Sequence, residues 1–272
     1  GKATGATGPT LSETLAFYDT TTYSWLNNTT YFNVTSDNMQ IWKVPATGNY
    51  RIKTIGAAGG SPTAQMNIDN GGIGGYGSYT EADIYLERNA HLLIVPGHMG
   101  SADSLGGAGG GGGSFVAYRP SGAGTSFTDA DLIFAGGGGG GGAKMSTPTG
   151  IAIGGNGGLE FKGENSPDGY RTGAGNSATQ GSLTSYLGDN AYGDGGNWGG
   201  GNGAGWLGSG RASGGGAGSA GRYGSGGGAG FNDSYVPLGG GQSRIEGGFG
   251  GGGAPGGANN GEGGGGGGGG YS

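Results

Sequence analysis

Apolar and polar residues fall into short runs along the first part of the chain, and the runs are the length of strands. TLAFYD (Thr14–Asp19), TTYFNVT (Thr29–Thr35), MQIWKVP (Met39–Pro45), NYRIKTIGA (Asn49–Ala57), YGSYTEADIYLE (Tyr76–Glu87) and HLLIVPG (His91–Gly97) are rich in β-branched and aromatic residues. Turn formers separate them, as expected of strands. Two more apolar runs, SFVAYRP (Ser114–Pro120) and DLIFAGG (Asp131–Gly137), stand between glycine tracts. ATGN (Ala46–Asn49) suits a tight hairpin turn, with Gly48 free to take a positive φ. No convincing amphipathic helix stands out. Eight candidate strands are enough for a jelly-roll-like antiparallel β-sandwich, a mainly β fold with little or no α-helix.

Glycine then takes over the pattern. The chain has 81 glycines in 272 residues, 14 of them in residues 1–103 and 67 in residues 104–272. The division predicts β-sandwich strands over 1–103 and a glycine-rich unit over 104–272, with 114–120 and 131–137 returning to the sandwich. Within GGAGSAGRYGSGGGAG, Gly215, Gly218, Gly221, Gly224, Gly227 and Gly230 recur every third residue. Nine prolines and only local triplets exclude collagen, which needs about 15–20% proline and an unbroken G-X-Y repeat. A period of three matches the polyproline II helix, which has no internal hydrogen bonds. Glycine keeps its N–H, so such helices can bond to one another and approach closely. The expected product is a bundle of glycine polyproline II helices inserted in or appended to the sandwich. The alternative is a disordered spacer, because glycine loses more entropy on ordering than any other residue. Bulky residues that punctuate the tracts (Trp198, Trp206, Leu207, Tyr223, Phe231, Phe249) weigh against the spacer.

Charge narrows the partners. The net charge is -6 and the 12 basic residues are scattered, which disfavours nucleic acid and anionic lipid. There is no cysteine, hence no disulfide and no thiolate metal site. No apolar run is long enough to span a bilayer and no signal peptide is visible, as expected of a mature or excised segment.

The block MQIWKVPATGNYRIKTIGAAGG (Met39–Gly60) resembles the glycine-rich region of the anaplastic lymphoma kinase and leukocyte tyrosine kinase receptor ectodomains, and related microbial and viral surface modules. GATGPT (Gly5–Thr10) is similar too, as is the later order of YGSYTEADIYLERNAHLLIVPGHMG, a glycine run, SFVAYRP and DLIFAGGGGGGGA. The resemblance implies a tumour-necrosis-factor-like jelly roll carrying a bundle of glycine polyproline II helices. The receptors carry cysteines and continue into further domains, so neither signalling nor ligand-contact residues carry over. Their jelly roll also resumes with a closing strand that has no match here. A missing strand would leave an open sheet edge. The N-terminal GKATGATGPTLSETLAFYD (Gly1–Asp19) is a candidate strand donated between subunits; the alternatives are a fragment of a longer chain, or Leu11–Phe17 closing its own sheet.

Candidate chemistry is sparse. His91 and His98 match no metal-site spacing and are expected to be structural. No G-x-S-x-G elbow or phosphate-binding loop occurs, so no enzyme is expected and no cofactor is implied. The loops Asn67–Gly72, Asn165–Gly169 and Gly188–Gly196 offer oxygens for calcium, although turn formation explains them equally well. Asn27, Asn28, Asn33 and Asn232 head N-x-[ST] sequons, and the first three are too close for all to be occupied. Tyr170, Tyr186, Tyr192, Trp198 and Trp206 either form a glycan- or protein-binding tip or cover the edges of the bundle. The sequence thus predicts an extracellular or surface structural module, a rigid scaffold or filament subunit that self-associates or binds protein partners. The alternative is an adhesin or receptor ectodomain whose loops bind a glycan or protein.

Overall fold

The computed structural model describes residues 7–61, 73–102, 108–139, 141, 156–157, 206 and 247–252. The glycine triplets from Gly215 to Gly230 and the sequon at Asn232 lie outside these residues.

Among the described residues the fold is a mainly β, jelly-roll-like antiparallel sandwich with one short α-helix. Strands β1 (Phe32–Val34), β2 (Gln40–Lys43), β5 (His91–Val95), β6 (Ser114–Arg119) and β7 (Leu132–Gly136) form a sheet in the order β1-β2-β5-β6-β7. Strands β3 (Gly48–Ile55) and β4 (Tyr79–Leu86) form a separate two-stranded ribbon. Every neighbouring pair is antiparallel.

Seven of the eight expected strands are present. The exception is Thr14–Asp19, where α1 spans Leu11–Phe17 instead. Thr10 and Glu13 form a reciprocal capping box: Thr10 N–H donates to Glu13 Oε2 at 2.8 Å, and Glu13 N–H to Thr10 Oγ1 at 3.4 Å. That T-x-x-E cap outweighs the strand-like composition of the segment. Being helical, Leu11–Phe17 does not close its own sheet as a strand. ATGN is likewise not a hairpin turn, because β2 and β3 lie in different sheets. It is a crossover that runs beside the β4–β5 crossover. Asn89 N–H donates to Val44 O and Val44 N–H to Ala90 O, both at 2.9 Å. Arg88 N–H donates to Thr47 Oγ1 at 2.9 Å. Asn38 and Asn89, not Gly48, take the left-handed conformation, at φ 62° and 68°.

Both faces of the larger sheet are buried, which is why β5 is apolar from Leu92 to Val95. Leu92, Val116, Ile94, Tyr118 and Trp42 face the ribbon, meeting Tyr50, Ile52, Ile84 and Leu86. Leu93, Val95, Phe115 and Ala117 face the other way and pack with Phe127, Trp206 and Phe249.

The glycine segments pack in a lattice whose hydrogen bonds repeat every third residue. Gly56 and Gly59 donate their N–H groups to the carbonyls of Ser78 and Gly75. Ala57 and Gly60, on the same segment, donate instead to Gly112 and Gly109. Gly109 and Gly112 donate in turn to Ser101 and His98, and all six bonds measure 2.9 Å. A strand would repeat every second residue, and an α-helix would bond to itself. Bonds that advance by three, to a different neighbour on each side, give three residues per turn, the period of the polyproline II helix. Close approach follows the same phase: a Cβ on Gly97 or Gly100 would run into the carbonyls of Gly112 or Gly109. Glycine segments before residue 103 therefore share one lattice with those after it.

Candidate functional site

The ribbon covers only part of the larger sheet. Ser114 Oγ, on β6, donates to Ile55 O on β3 at 2.7 Å. Thr80 Oγ1, on β4, donates to Ala135 O on β7 at 3.1 Å. At this end β3 lies over β6 and β7 and β4 over β7, while Tyr50 of β3 packs on Trp42 of β2; Phe32 and Gln40 of the same face line a cleft instead. α1 and the 3-10 turn Ser24–Asn27 close over that cleft, whose volume is about 470 Å³.

Aromatic packing builds the cleft. Tyr18 and Phe32 meet edge to face at 5.8 Å, and Tyr18 Oη donates to the buried Gln40 Oε1 at 2.8 Å. Burial pushes the Tyr18 phenol above its ordinary value, against that hydrogen bond. Trp42 rises from β2 between Trp25, at 6.3 Å, and Tyr50, at 5.5 Å. Its Nε1 has no hydrogen-bond partner among the described residues. Phe17, Tyr23 and Trp25 remain 69%, 53% and 42% exposed at the rim, an unusual density of solvent-facing aromatics. Asp19 is the charged group of the lining. Its Oδ1 accepts from Thr21 and Thr22 N–H at 3.2 and 3.0 Å, and bonding to Thr22 and Thr21 holds the carboxyl below its usual range. The cleft can therefore hold apolar or aromatic groups and accept a hydrogen bond at one end.

Of the aromatic residues expected at a binding tip, Tyr170, Tyr186, Tyr192 and Trp198 lie outside the described residues. Trp206 is fully buried and packs against Phe115 with ring centroids 5.1 Å apart, tilted by 46°, so it serves the core. The exposed set is instead Phe17, Tyr18, Tyr23 and Trp25, none of which the strand pattern marks as a site. Its signal is the run FYDTTTYSW, where four aromatics crowd nine residues that a strand pattern does not fit.

Asn27, Asn28 and Asn33 are all exposed. Asn28 Oδ1 accepts from Thr30 N–H at 3.0 Å, and Asn33 Oδ1 from Val34 N–H at 2.8 Å. His91 opens β5, and burial, then Lys43, lower its pKa. His98 is buried in the glycine lattice 5.5 Å from Phe249, and burial lowers its pKa. Among the described residues no cluster of His, Asp or Glu is placed to hold a metal ion, and the candidate calcium loops lie outside them. Among the same residues no helix is long and apolar enough to cross a membrane. No protein-family model matches the chain, and no curated protein matches it.

Proposed function

We propose that this chain is a non-enzymatic extracellular structural module, a stiff scaffold or a subunit of a surface filament. The observation that carries the reading is the period-three hydrogen-bond lattice between glycine segments. Such a lattice commits backbone groups to neighbouring segments and removes side chains from the contacts. It spends composition on rigidity and leaves little chemistry between the segments. The resemblance to the glycine-rich region of the anaplastic lymphoma kinase and leukocyte tyrosine kinase ectodomains supports an extracellular, load-bearing or presenting role. Self-association or protein partners follow from that role.

The test is electron microscopy of the native material together with limited proteolysis and circular dichroism. Ordered filaments, or compact particles resistant to protease and showing a polyproline II signal, are the expected result. A random-coil signal and rapid cleavage through the glycine tracts would overturn the reading.

A binding module is the second reading, favoured by the aromatic cleft and its exposed rim. An adhesin or receptor ectodomain would use that cleft rather than Trp206.

A further inference from the structure

The register of the larger sheet sets the floor of the cleft. Phe32 pairs with Trp42 and Gln40 with Ile94, so these four side chains share one face. Residues 17–25 lie across that floor and add Phe17, Tyr18, Tyr23 and Trp25 to the lining. Six of the ten lining residues are aromatic, and the exposed rings are those of the covering segment. Trp25 and Trp42 stand 6.3 Å apart with their planes tilted by 49°, so they form a corner and not a stack. Tyr18 and Phe32, edge to face, form a second corner.

Charge in the cleft is one-sided. Asp19 lines it and no lysine or arginine does. Lys43 follows Trp42 on β2 and so turns to the other face of the sheet. Among the described residues Arg51, Lys53 and Arg119 pair with other acids, and Asp19 forms no ion pair. Its charge is left for a ligand to answer.

We propose that the cleft binds a quaternary ammonium group, of which choline carries the simplest form, held against the aromatic faces and balanced by the Asp19 carboxylate. Ring faces are negative and attract a cation within about 6 Å of the centroid. The lining selects against other cations. An ammonium brings three N–H donors and a guanidinium five. The cleft has few acceptors to meet them, since Gln40 Oε1 already accepts from Tyr18 Oη at 2.8 Å. Each donor left unmet costs its desolvation. A sugar meets the same difficulty with its hydroxyls. A trimethylammonium group presents its charge through methyl groups and needs no hydrogen bond. The volume of about 470 Å³ lies within the roughly 300–1,000 Å³ of small-molecule sites. The proposal deepens the reading of the chain as a binding module and rests on it.

The probe is choline chloride added to the full chain, followed by proton NMR of its N-methyl signal. The expected result is a saturable upfield shift, as ring currents impose on methyl groups over aromatic faces, with a Kd of about 1 mM or tighter. Neopentyl carbinol, the neutral isostere of choline with carbon in place of nitrogen, should bind at least about tenfold more weakly. Trp25→Leu keeps apolar bulk, removes a ring face and should weaken choline binding about tenfold. Asp19→Asn keeps an acceptor for the Thr21 and Thr22 N–H groups and removes the charge. It should weaken binding about threefold, as expected of an exposed charge. Should either variant disturb folding, the other and the isostere still decide. No shift up to about 100 mM choline, equal binding of the isostere, or indifference to both substitutions overturns the proposal. Phosphatidylcholine vesicles distinguish the sources of the group. Sedimentation with vesicles, reversed by choline, assigns it to a lipid headgroup; choline binding without sedimentation assigns it to a free molecule. A panel of neutral oligosaccharides separates the two failures. If a sugar binds at Trp25 while choline does not, the quaternary ammonium falls and the binding module stands. If neither binds, both fall.

Discussion

The carbonyl oxygen of Ala57 occupies the place that a Cβ on Gly111 would need. That oxygen cannot swing aside, because it accepts from Gly139 N–H at 2.9 Å while Ala57 N–H donates to Gly112 O at 2.9 Å. Three glycine segments are thus held at one point by backbone alone. Replacing Gly111 with alanine has no side-chain rotation to absorb it. Gly111→Ala is expected to lower stability by about 1–3 kcal/mol, or more if the lattice opens. Gly48→Ala is the control, since nothing lies within 4 Å of a Cβ there. It is expected to be neutral or to stabilise by up to about 1 kcal/mol, by restricting the unfolded chain. Urea denaturation of both variants measures the contrast, and equal effects would contradict the packed lattice.

His98 gives the lattice a pH dependence. Its ring is buried against Phe249, its Nδ1 has no partner among the described residues, and burial depresses its pKa below the ordinary 6.5. Between 6.5 and the lower folded value, the unfolded chain binds a proton that the folded chain refuses. The contribution is therefore fully present above pH 6.5 and is lost as pH falls through that window. Thermal melts should show the wild type losing stability from pH 7.5 to 5.5. His98→Gln should flatten that slope, and an unchanged slope would assign it to other groups.

Local sequence carried most of the sheet and little of the site. The runs that became β2 to β7 are short, apolar and bounded by turn residues, and each is buried on a face its pattern announces. The β-branched and aromatic residues of Thr14–Asp19 look like a strand, while the deciding signal is the cap at Thr10 and Glu13. ATGN failed for another reason: a tight turn and a crossover use the same residues, and only the pairing of β2 with β5 separates them. The cleft depends on how far a two-stranded ribbon reaches over a five-stranded sheet, a relation no single segment encodes. A period of three does occur among the described residues, where glycines in that phase meet backbone at 56–60 and 108–113, while the Gly215–Gly230 tract that suggested it lies outside them.

Trp206 and Trp25 should respond in opposite ways to truncation. Trp206 is fully buried between Phe115 and the rest of the outer core, so Trp206→Ala leaves a large cavity. A loss of about 3–5 kcal/mol is expected, measured by denaturant titration. Trp25 is 42% exposed and touches Trp42 across the cleft. Trp25→Ala should cost far less stability and act on binding instead. A comparable loss from both would mean that the cleft wall is part of the core.

The wall formed by α1 depends on its N-terminal cap. Seven residues are too few for a helix to persist alone in water, so its first turn needs both the capping box and packing on the sheet. Thr10→Ala removes the side-chain acceptor for Glu13 N–H and the hydroxyl that donates to Glu13 Oε2 at 2.7 Å. The loss expected for a missing cap is about 1 kcal/mol. It should be local, appearing as faster exchange of the Thr14 amide, which bonds to Thr10 O at 2.9 Å, with β5 and β6 unaffected. Glu13 gives an independent readout. Hydrogen bonds from the Thr10 side chain and backbone hold its carboxyl below the ordinary 4.5, so this stabilisation is present above that pH and is lost as acid protonates the folded group. In Thr10→Ala the Glu13 titration followed by NMR should move back up toward 4.5. If Thr14 exchange and the Glu13 titration both stay put, the cap is not what holds α1 over the cleft.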